Sequence, residues 1–153
     1  MPRLDDRERL HALHTSGLLR KDVTCRFDHL VFTAATLLRA DIAQLNVLTA
    51  EMQYTTAGWP PGGHIDRPVE DSGCRTVVER QQTVAIPDVL QDPIMCTKSW
   101  ATEHRGYMGT PVLHREQVIG TLCVLTHEVR EWGYLDHQAL EGLAHLVSLS
   151  LEV

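Results

Sequence analysis

The chain has 153 residues, 43% of them apolar and 22% charged, with a formal net charge of −6. That length suits one domain, expected here over residues 1–153, with a sizeable core. The charge excludes an electrostatic footprint for nucleic acid or an anionic membrane, since neither Lys nor Arg clusters. No apolar run approaches the roughly 20 residues that span a bilayer, and the opening MPRLDDRERL lacks the apolar centre of a signal peptide. Cys25, Cys74, Cys96 and Cys123 stand singly with no C-x-x-C pair. This argues against a structural zinc site or a secreted disulfide framework and makes a reducing cytoplasm the expected location.

Residues 5–19 read as a first helix, with Leu10, Leu13 and Leu18 as its apolar stripe and Gly17 ending it. A second helix is predicted over 24–39. Phe27, Leu30, Val31, Ala34, Ala35 and Leu38 recur there at helical spacing, and Thr24 or Asp22 is placed to cap its start. Residues 42–49 form a strand with Ala43, Leu45 and Val47 on one face and Gln44 and Asn46 opposite. Its hairpin partner is 53–57, after a turn near Ala50 and Glu51. The stretch 58–68, GWPPGGHIDRP, is rich in proline and glycine and reads as an irregular surface loop, of the kind that borders functional clefts.

Residues 72–81 are predicted helical, with Ser72 as N-cap and Val77 and Val78 facing inward. A short strand at 83–86 follows, then a loop or broken helix over 88–101. Residues 107–113 and 117–125 read as two strands joined at His114, Arg115 and Glu116. Strict alternation puts Val118, Gly120, Leu122 and Val124 on one face, and Ile119, Thr121, Cys123 and Leu125 on the other. Apolar residues on both faces mark a central, doubly covered strand, and Gly106, Gly109 and Gly120 leave room for close approach. A last helix over 131–153 carries Ala139, Leu140, Leu143, Ala144, Val147 and Leu151 as its stripe. The order predicts an α+β fold: a central antiparallel sheet of five to six strands with helices on its faces.

Several fragments resemble a GAF domain of the bacterial sensor type. ERLHALHTSGLL is similar to the opening helix of many bacterial members. SGCRTVVERQQTVAIPDVLQDP, residues 72–93, resembles the segment where a helix holding a cysteine leads to a valine-rich strand, then Pro-Asp and Asp-Pro. Cys74, Pro87-Asp88 and Asp92-Pro93 take those places. PVLHREQVIGTLCVL resembles the end of the family's sheet. The resemblance implies a small-molecule pocket on one face of the sheet, closed by lid segments 58–79 and 88–105. It implies terminal helices, 5–39 and 131–153, on the other face, forming a homodimer surface. It also implies a sensory role in signal transduction, without catalysis, with a kinase or another signalling protein downstream.

On that reading the ligand-binding residues are Tyr54, Trp59, Ser72, Cys74, Asp88, Trp100, Tyr107, Thr121 and Cys123. Aromatic walls with a few polar groups are how ligand sites are built; the plainer account is that the aromatics only pack the lid onto the sheet. The helix start at Ser72–Cys74 offers free amide donors to an anion, although Glu70 and Asp71 beside it fit ordinary capping.

Three alternatives stand beside this one. The branch of free methionine sulfoxide reductases carries cysteines matched by Cys74 and Cys96, and thiolate chemistry between such a pair is sensible. The chain departs from that branch where acidic residues would hold the amino acid: Arg105, Gly106 and Tyr107 stand at one place and Leu122–Leu125 at the other. A second alternative is an interaction module with a filled pocket, working through its helical face alone. The third is a haem reading, for which His104 is the best placed axial ligand; a lone histidine is far more often hydrogen-bonded or at the surface. No histidine set has metal-ligand spacing. The cyclic-nucleotide signature N-K-x-F-x-D-E is absent, and Cys96 lacks the neighbouring histidine of the bilin-binding branch. The sequence names neither the ligand nor a cofactor.

Overall fold

The computed structural model describes residues 3–19, 26–62 and 66–151. Strands β1 (Ile42–Leu48), β2 (Met52–Trp59), β3 (Arg67–Pro68), β4 (Val84–Ile86), β5 (Gly106–His114) and β6 (Gln117–Thr126) form one antiparallel sheet in the order β3-β2-β1-β6-β5-β4. The centre of the sheet is therefore built from two hairpins laid side by side through β1 and β6. Strand β3 falls inside the stretch expected to be irregular; it adds two residues to the edge, pairing Arg67 with Gln53.

Four α-helices complete the chain: α1 (Arg7–Ser16), α2 (Asp28–Leu38), α3 (Cys74–Arg80) and α4 (Tyr134–Ser150). Gly17 ends α1 in the left-handed region, at φ 79°, where a side chain is costly. Helix α2 starts later than its apolar period suggests, and the caps expected at Asp22 and Thr24 lie outside the described residues. Helix α4 also starts late: the Gly133 amide donates to the Asp136 carboxylate at 2.9 Å, and the Trp132 indole donates to the Ile86 carbonyl at 3.1 Å, which holds residues 131–133 out of the helix. Between α3 and β5 the chain makes two short 3-10 turns, Val89–Gln91 and Met95–Thr97.

Helices α1, α2 and α4 cover one face of the sheet. Leu13, Val31, Leu38, Leu45, Ile119, Leu122 and Leu140 meet there, all with no exposed surface. Each buried side chain of this size stabilises the fold by about 1.5–3 kcal/mol relative to exposure. The opposite face carries α3 and the 3-10 turns, with Val77, Val89 and Met95 buried against Tyr107, Val118 and Cys123.

The alternation expected for β6 fails at one point. Leu113 pairs with Val118 but Val112 pairs with Gly120, so Ile119 is an extra residue in a bulge. Val118 thereby joins the α3 face, and Ile119 joins Leu122 and Val124 on the helix face. A second bulge, at Thr56 in β2, separates the Ala57–Leu45 pair from the Thr55–Asn46 pair. The β5–β6 turn is two residues long, with Arg115 and Glu116 both at positive φ, 51° and 67°. That backbone matches the twist of the strands it joins.

The first helix is tied to the sheet by Arg9, whose side chain is buried. Its guanidinium donates to the carbonyls of Leu4 (2.8 Å), Leu48 (2.7 Å) and Val118 (3.4 Å). Burial lowers its pKa from the ordinary arginine value, with the nearby Asp6 charge acting in the opposite direction.

Candidate functional site

The period-two pattern of β1 sends Ala43, Leu45 and Val47 to the helix face and Gln44 and Asn46 to the other. Gln53 of β2 joins the polar set. Together with Cys123 and Leu125 of β6 and Tyr107 of β5, these side chains floor a cavity of about 80 Å³. Cys74, at the first turn of α3, forms one wall, and Trp100 and His104 close the space from the lid. The volume is well under the roughly 300–1,000 Å³ of drug-sized ligand pockets.

The lid is clasped to the rest of the site through Asp71. The Ser99 amide donates to its carboxylate at 2.7 Å, Arg67 makes an ion pair with it at 3.0 Å, and the Trp100 indole donates to its carbonyl at 2.9 Å. Burial opposes its charge, yet the Ser99 hydrogen bonds and Arg67 hold the Asp71 carboxyl below the usual carboxylate range. Lys98 adds a hydrogen bond to the Glu70 carbonyl at 2.6 Å. Sequence reading saw Asp71 only as a helix-capping charge.

The polar interior centres on two thiols. The Tyr107 hydroxyl donates to Cys74 Sγ at 3.2 Å, and Gly109 makes room for that phenol: a Cβ there would lie 2.4 Å from its oxygen. The Asn46 amide nitrogen lies 3.5 Å from Cys74 Sγ and 3.7 Å from Cys123 Sγ, while its oxygen accepts from Thr55 at 2.7 Å. The thiol of Cys123, then the phenol and the amide, favour a thiolate at Cys74 against the cost of burial and bring its pKa down to about 7. The same neighbour and burial push Cys123 well above its ordinary value, and burial keeps Tyr107 protonated. The Thr121 hydroxyl, fully buried, is near enough to Cys74 to favour the thiolate but makes no hydrogen bond of ordinary geometry. His104 stacks on His127 with ring centroids 5.1 Å apart; burial and that second ring keep it neutral, and its Nδ1 is buried without a partner.

Of the nine residues expected to touch a ligand, Cys74, Trp100, Tyr107 and Cys123 line this cavity. Thr121 is buried beside Cys74, and Ser72 stands one step behind the wall. The Ser72 hydroxyl donates to the Gln53 side chain and accepts from the Arg75 amide in the first turn of α3, from the position before its N-cap, Gly73.

Tyr54 and Trp59 do not share the cavity. Tyr54 pairs with Val47 and Trp59 with Ala43, which puts both on the helix face. There Trp59 packs edge-on against Phe32 at 4.8 Å, and Tyr54 is exposed. Asp88 is also outside: it forms a two-pronged pair with Arg105, both contacts at 2.7 Å, while its carboxylate caps the Val89 turn. Cys96 is exposed, with its sulfur against the Pro93 carbonyl at 3.7 Å, so the Cys74–Cys96 pair expected for a reductase is not formed.

The polar lining residues outside the expected ligand set include Gln44, Asn46, Gln53 and Arg67. The first three carry a signal in the sequence: Gln44, Asn46 and Gln53 are polar on strands whose other face is apolar. No group of three or more potential metal ligands occurs among the described residues, and no helix among them is long and apolar enough to cross a membrane.

Comparison with solved structures finds the same fold repeatedly. The GAF domain of a phosphoenolpyruvate-protein phosphotransferase from Acinetobacter superposes with a TM-score of 0.70 at 16% identity, covering 96% of this chain and 94% of that one. The blue-light absorbing form of the PixJ GAF domain from Thermosynechococcus elongatus gives 0.72 at 21% identity, over 89% and 88%. A type II free methionine-R-sulfoxide reductase from Thermoplasma acidophilum gives 0.72 at 15%, over 86% and 94%. At such identities the likeness speaks for the fold alone. No curated protein matches the sequence with significance. The GAF domain profile matches residues 22–151, from before the second helix to the end of the last, and the chain belongs to the GAF family.

Proposed function

We propose that this GAF domain is a non-catalytic sensory module, in which a small molecule enters the space between sheet and lid and the terminal helices carry the response. The observation behind this is a hollow with polar walls on the lid face. Asn46, Gln53, Thr121 and two thiols are buried together on that side of the sheet. Buried polar groups cost stability unless hydrogen-bonded, and Asn46 and Gln53 are held by Thr55 and Ser72 with their remaining polar atoms beside the hollow. The responding site is then Cys74, Trp100, Tyr107, Thr121 and Cys123, with Asn46 and Gln53 in place of Tyr54 and Trp59. A ligand shifts the lid only if it binds the closed form better than the open one.

Exposed apolar residues on α2 and α4, among them Leu37, Leu135, Leu146 and Leu149, support pairing of two copies through the helices, with a kinase or other signalling protein reading the change. The three described thiols are all free, which suits a cytoplasmic setting.

Native mass spectrometry and an absorption spectrum of freshly purified protein test the binding reading. Retained mass, together with slower amide exchange over 88–104 in its presence, is the expected result. Exchange in that segment that ignores every retained molecule would remove the proposal. Light scattering over a concentration series tests the dimer.

A further inference from the structure

We propose that Cys74 and Cys123 are a hydroperoxide-reactive dithiol, which a small peroxide entering the cavity converts to a disulfide between α3 and β6. The inference rests on the sensory reading above and gives it a chemical class of signal.

Four observations carry it. One amide nitrogen, on Asn46, lies within 3.7 Å of both sulfurs, so the two thiols share one donor at one point of the wall. The Tyr107 hydroxyl adds a donor at 3.2 Å to Cys74 alone, which distinguishes the pair: Cys74 is the sulfur that gives up its proton more readily, and Cys123 the one that keeps it. His104 lines the same cavity from the lid, and its buried Nδ1 has no hydrogen-bond partner. That nitrogen is free to receive a polar guest. Finally, the cavity of about 80 Å³ is bordered by both sulfurs and is ample for a molecule the size of water or hydrogen peroxide. Trp100, Arg67 and His104 in its wall are partly exposed, so the space communicates with solvent.

The chemistry balances with the peroxide as oxidant. The Cys74 thiolate attacks one peroxide oxygen; the O–O bond breaks, a sulfenic acid forms at Cys74, and the leaving hydroxide or alkoxide takes up a proton from solvent. Cys123 then attacks the Cys74 sulfur. The S–O bond breaks, the S–S bond forms, and the hydroxide leaves as water with the Cys123 proton. In sum, two thiols and one hydroperoxide give one disulfide, one alcohol or water from the peroxide, and one further water. Cys74 then no longer accepts from Tyr107, whose ring sits 6.1 Å from that of Trp100. Oxidation therefore reaches the lid.

The test treats reduced, full-length protein with a small excess of hydrogen peroxide near neutral pH, followed by non-reducing peptide mapping. The expected product is a Cys74–Cys123 linked peptide, with a mass lower by two hydrogens. A change in Trp100 emission should accompany it and be reversed by dithiothreitol. Cys123→Ser should stop at a Cys74 sulfenic acid trapped by dimedone. Tyr107→Phe should slow the reaction several-fold near pH 7 by raising the thiol pKa, since one unit is a tenfold change. Oxidation confined to Cys25 or Cys96, or no oxidation of Cys74 on wild-type protein, overturns the dithiol. Either outcome leaves the binding reading standing if native mass spectrometry still finds a retained molecule.

Discussion

The two faces of the sheet are built on different terms. On the helix face, apolar side chains from α1, α2 and α4 meet those of four strands, and the buried hydroxyls there, Thr56 and Thr110, are hydrogen-bonded. On the lid face, Asn46, Gln53, Ser72, Thr121 and two thiols are buried among apolar neighbours. The first arrangement draws its stability from area removed from water, which is non-directional and roughly proportional to surface. The second draws little net stability from hydrogen bonds that only replace those to water. What it gains is a fixed placement of donors around Cys74. A fold that spends one face on packing and the other on placement separates stability from response.

Mutations should divide along the same line. The largest loss is expected at Gly120, in the middle of the sheet, where a Cβ would lie 2.1 Å from the Asn46 carbonyl oxygen. That contact is with backbone and cannot be relieved by a rotamer change, so Gly120→Ala should cost about 3 kcal/mol or more, seen as a lower urea midpoint. Leu45→Ala, which hollows the helix face, should cost about 3 kcal/mol without changing thiol reactivity. On the lid face the order reverses. Gly109→Ala pushes against the far end of the Tyr107 side chain. It should cost less than either, yet raise the Cys74 pKa by removing the phenol's hydrogen bond, as a thiol titration at varied pH would show. Asn46→Leu should cost about 1–2 kcal/mol and act on the same thiol. If Leu45→Ala changed thiol reactivity as much as Gly109→Ala does, the division between the faces would fail.

The pH dependence of stability sharpens the contrast. Cys74 falls to about 7 in the folded protein, against an ordinary thiol value near 8.5. Its folded pKa is depressed, so the stability it contributes is fully present above the unfolded value and is lost as pH falls through about 7. Between the two values the unfolded chain binds more protons than the native one, and stability rises with pH. Urea unfolding should therefore show wild-type stability increasing from pH 7 toward pH 8.5. Cys74→Ser, which removes the titrating group, should give a flatter profile. An unchanged slope in that variant would assign the effect elsewhere.

How far the sequence could be read follows the same division. The stripes of α2 and α4 are legible because a helix buries one face at a fixed period, and Val31, Leu38, Leu140 and Val147 fall on it. The six-strand antiparallel sheet follows from the hairpins and the family resemblance. The bulge at Ile119 was not legible: β6 is apolar on both faces, so a slip of one residue leaves the pattern unchanged. Aromatics near a lid suit a ligand wall, and the sequence alone therefore points to Tyr54 and Trp59 as cavity residues. Counting from Val47 across the hairpin places Tyr54 on the helix face instead, and the polar set Gln44, Asn46 and Gln53 marks the side where the cavity lies. The partner of Cys74 was out of reach, because contact between α3 and β6 depends on how the helix is set down on the sheet, which no local spacing records.

The smallest effect is expected at the clasp. Asp71 is tied to Ser99 and Arg67 at the partly exposed edge of the lid, where water competes for each contact and screens the charges. Asp71→Asn keeps the side chain's size and one acceptor oxygen but loses the ion pair, so global stability should fall by only about 1 kcal/mol. Local opening has a different cost. Trp100 donates to the Asp71 carbonyl, so the 95–104 stretch depends on this one residue through both its side chain and its backbone. Amide exchange should accordingly quicken over 95–104 while the helix face stays as protected as before, since Met95, Trp100 and Ala101 pack in the cluster on the other side of the sheet. If α2 and α4 exchanged faster to the same degree as the lid, the lid would be part of the global core, and the separation of packing from placement would not hold.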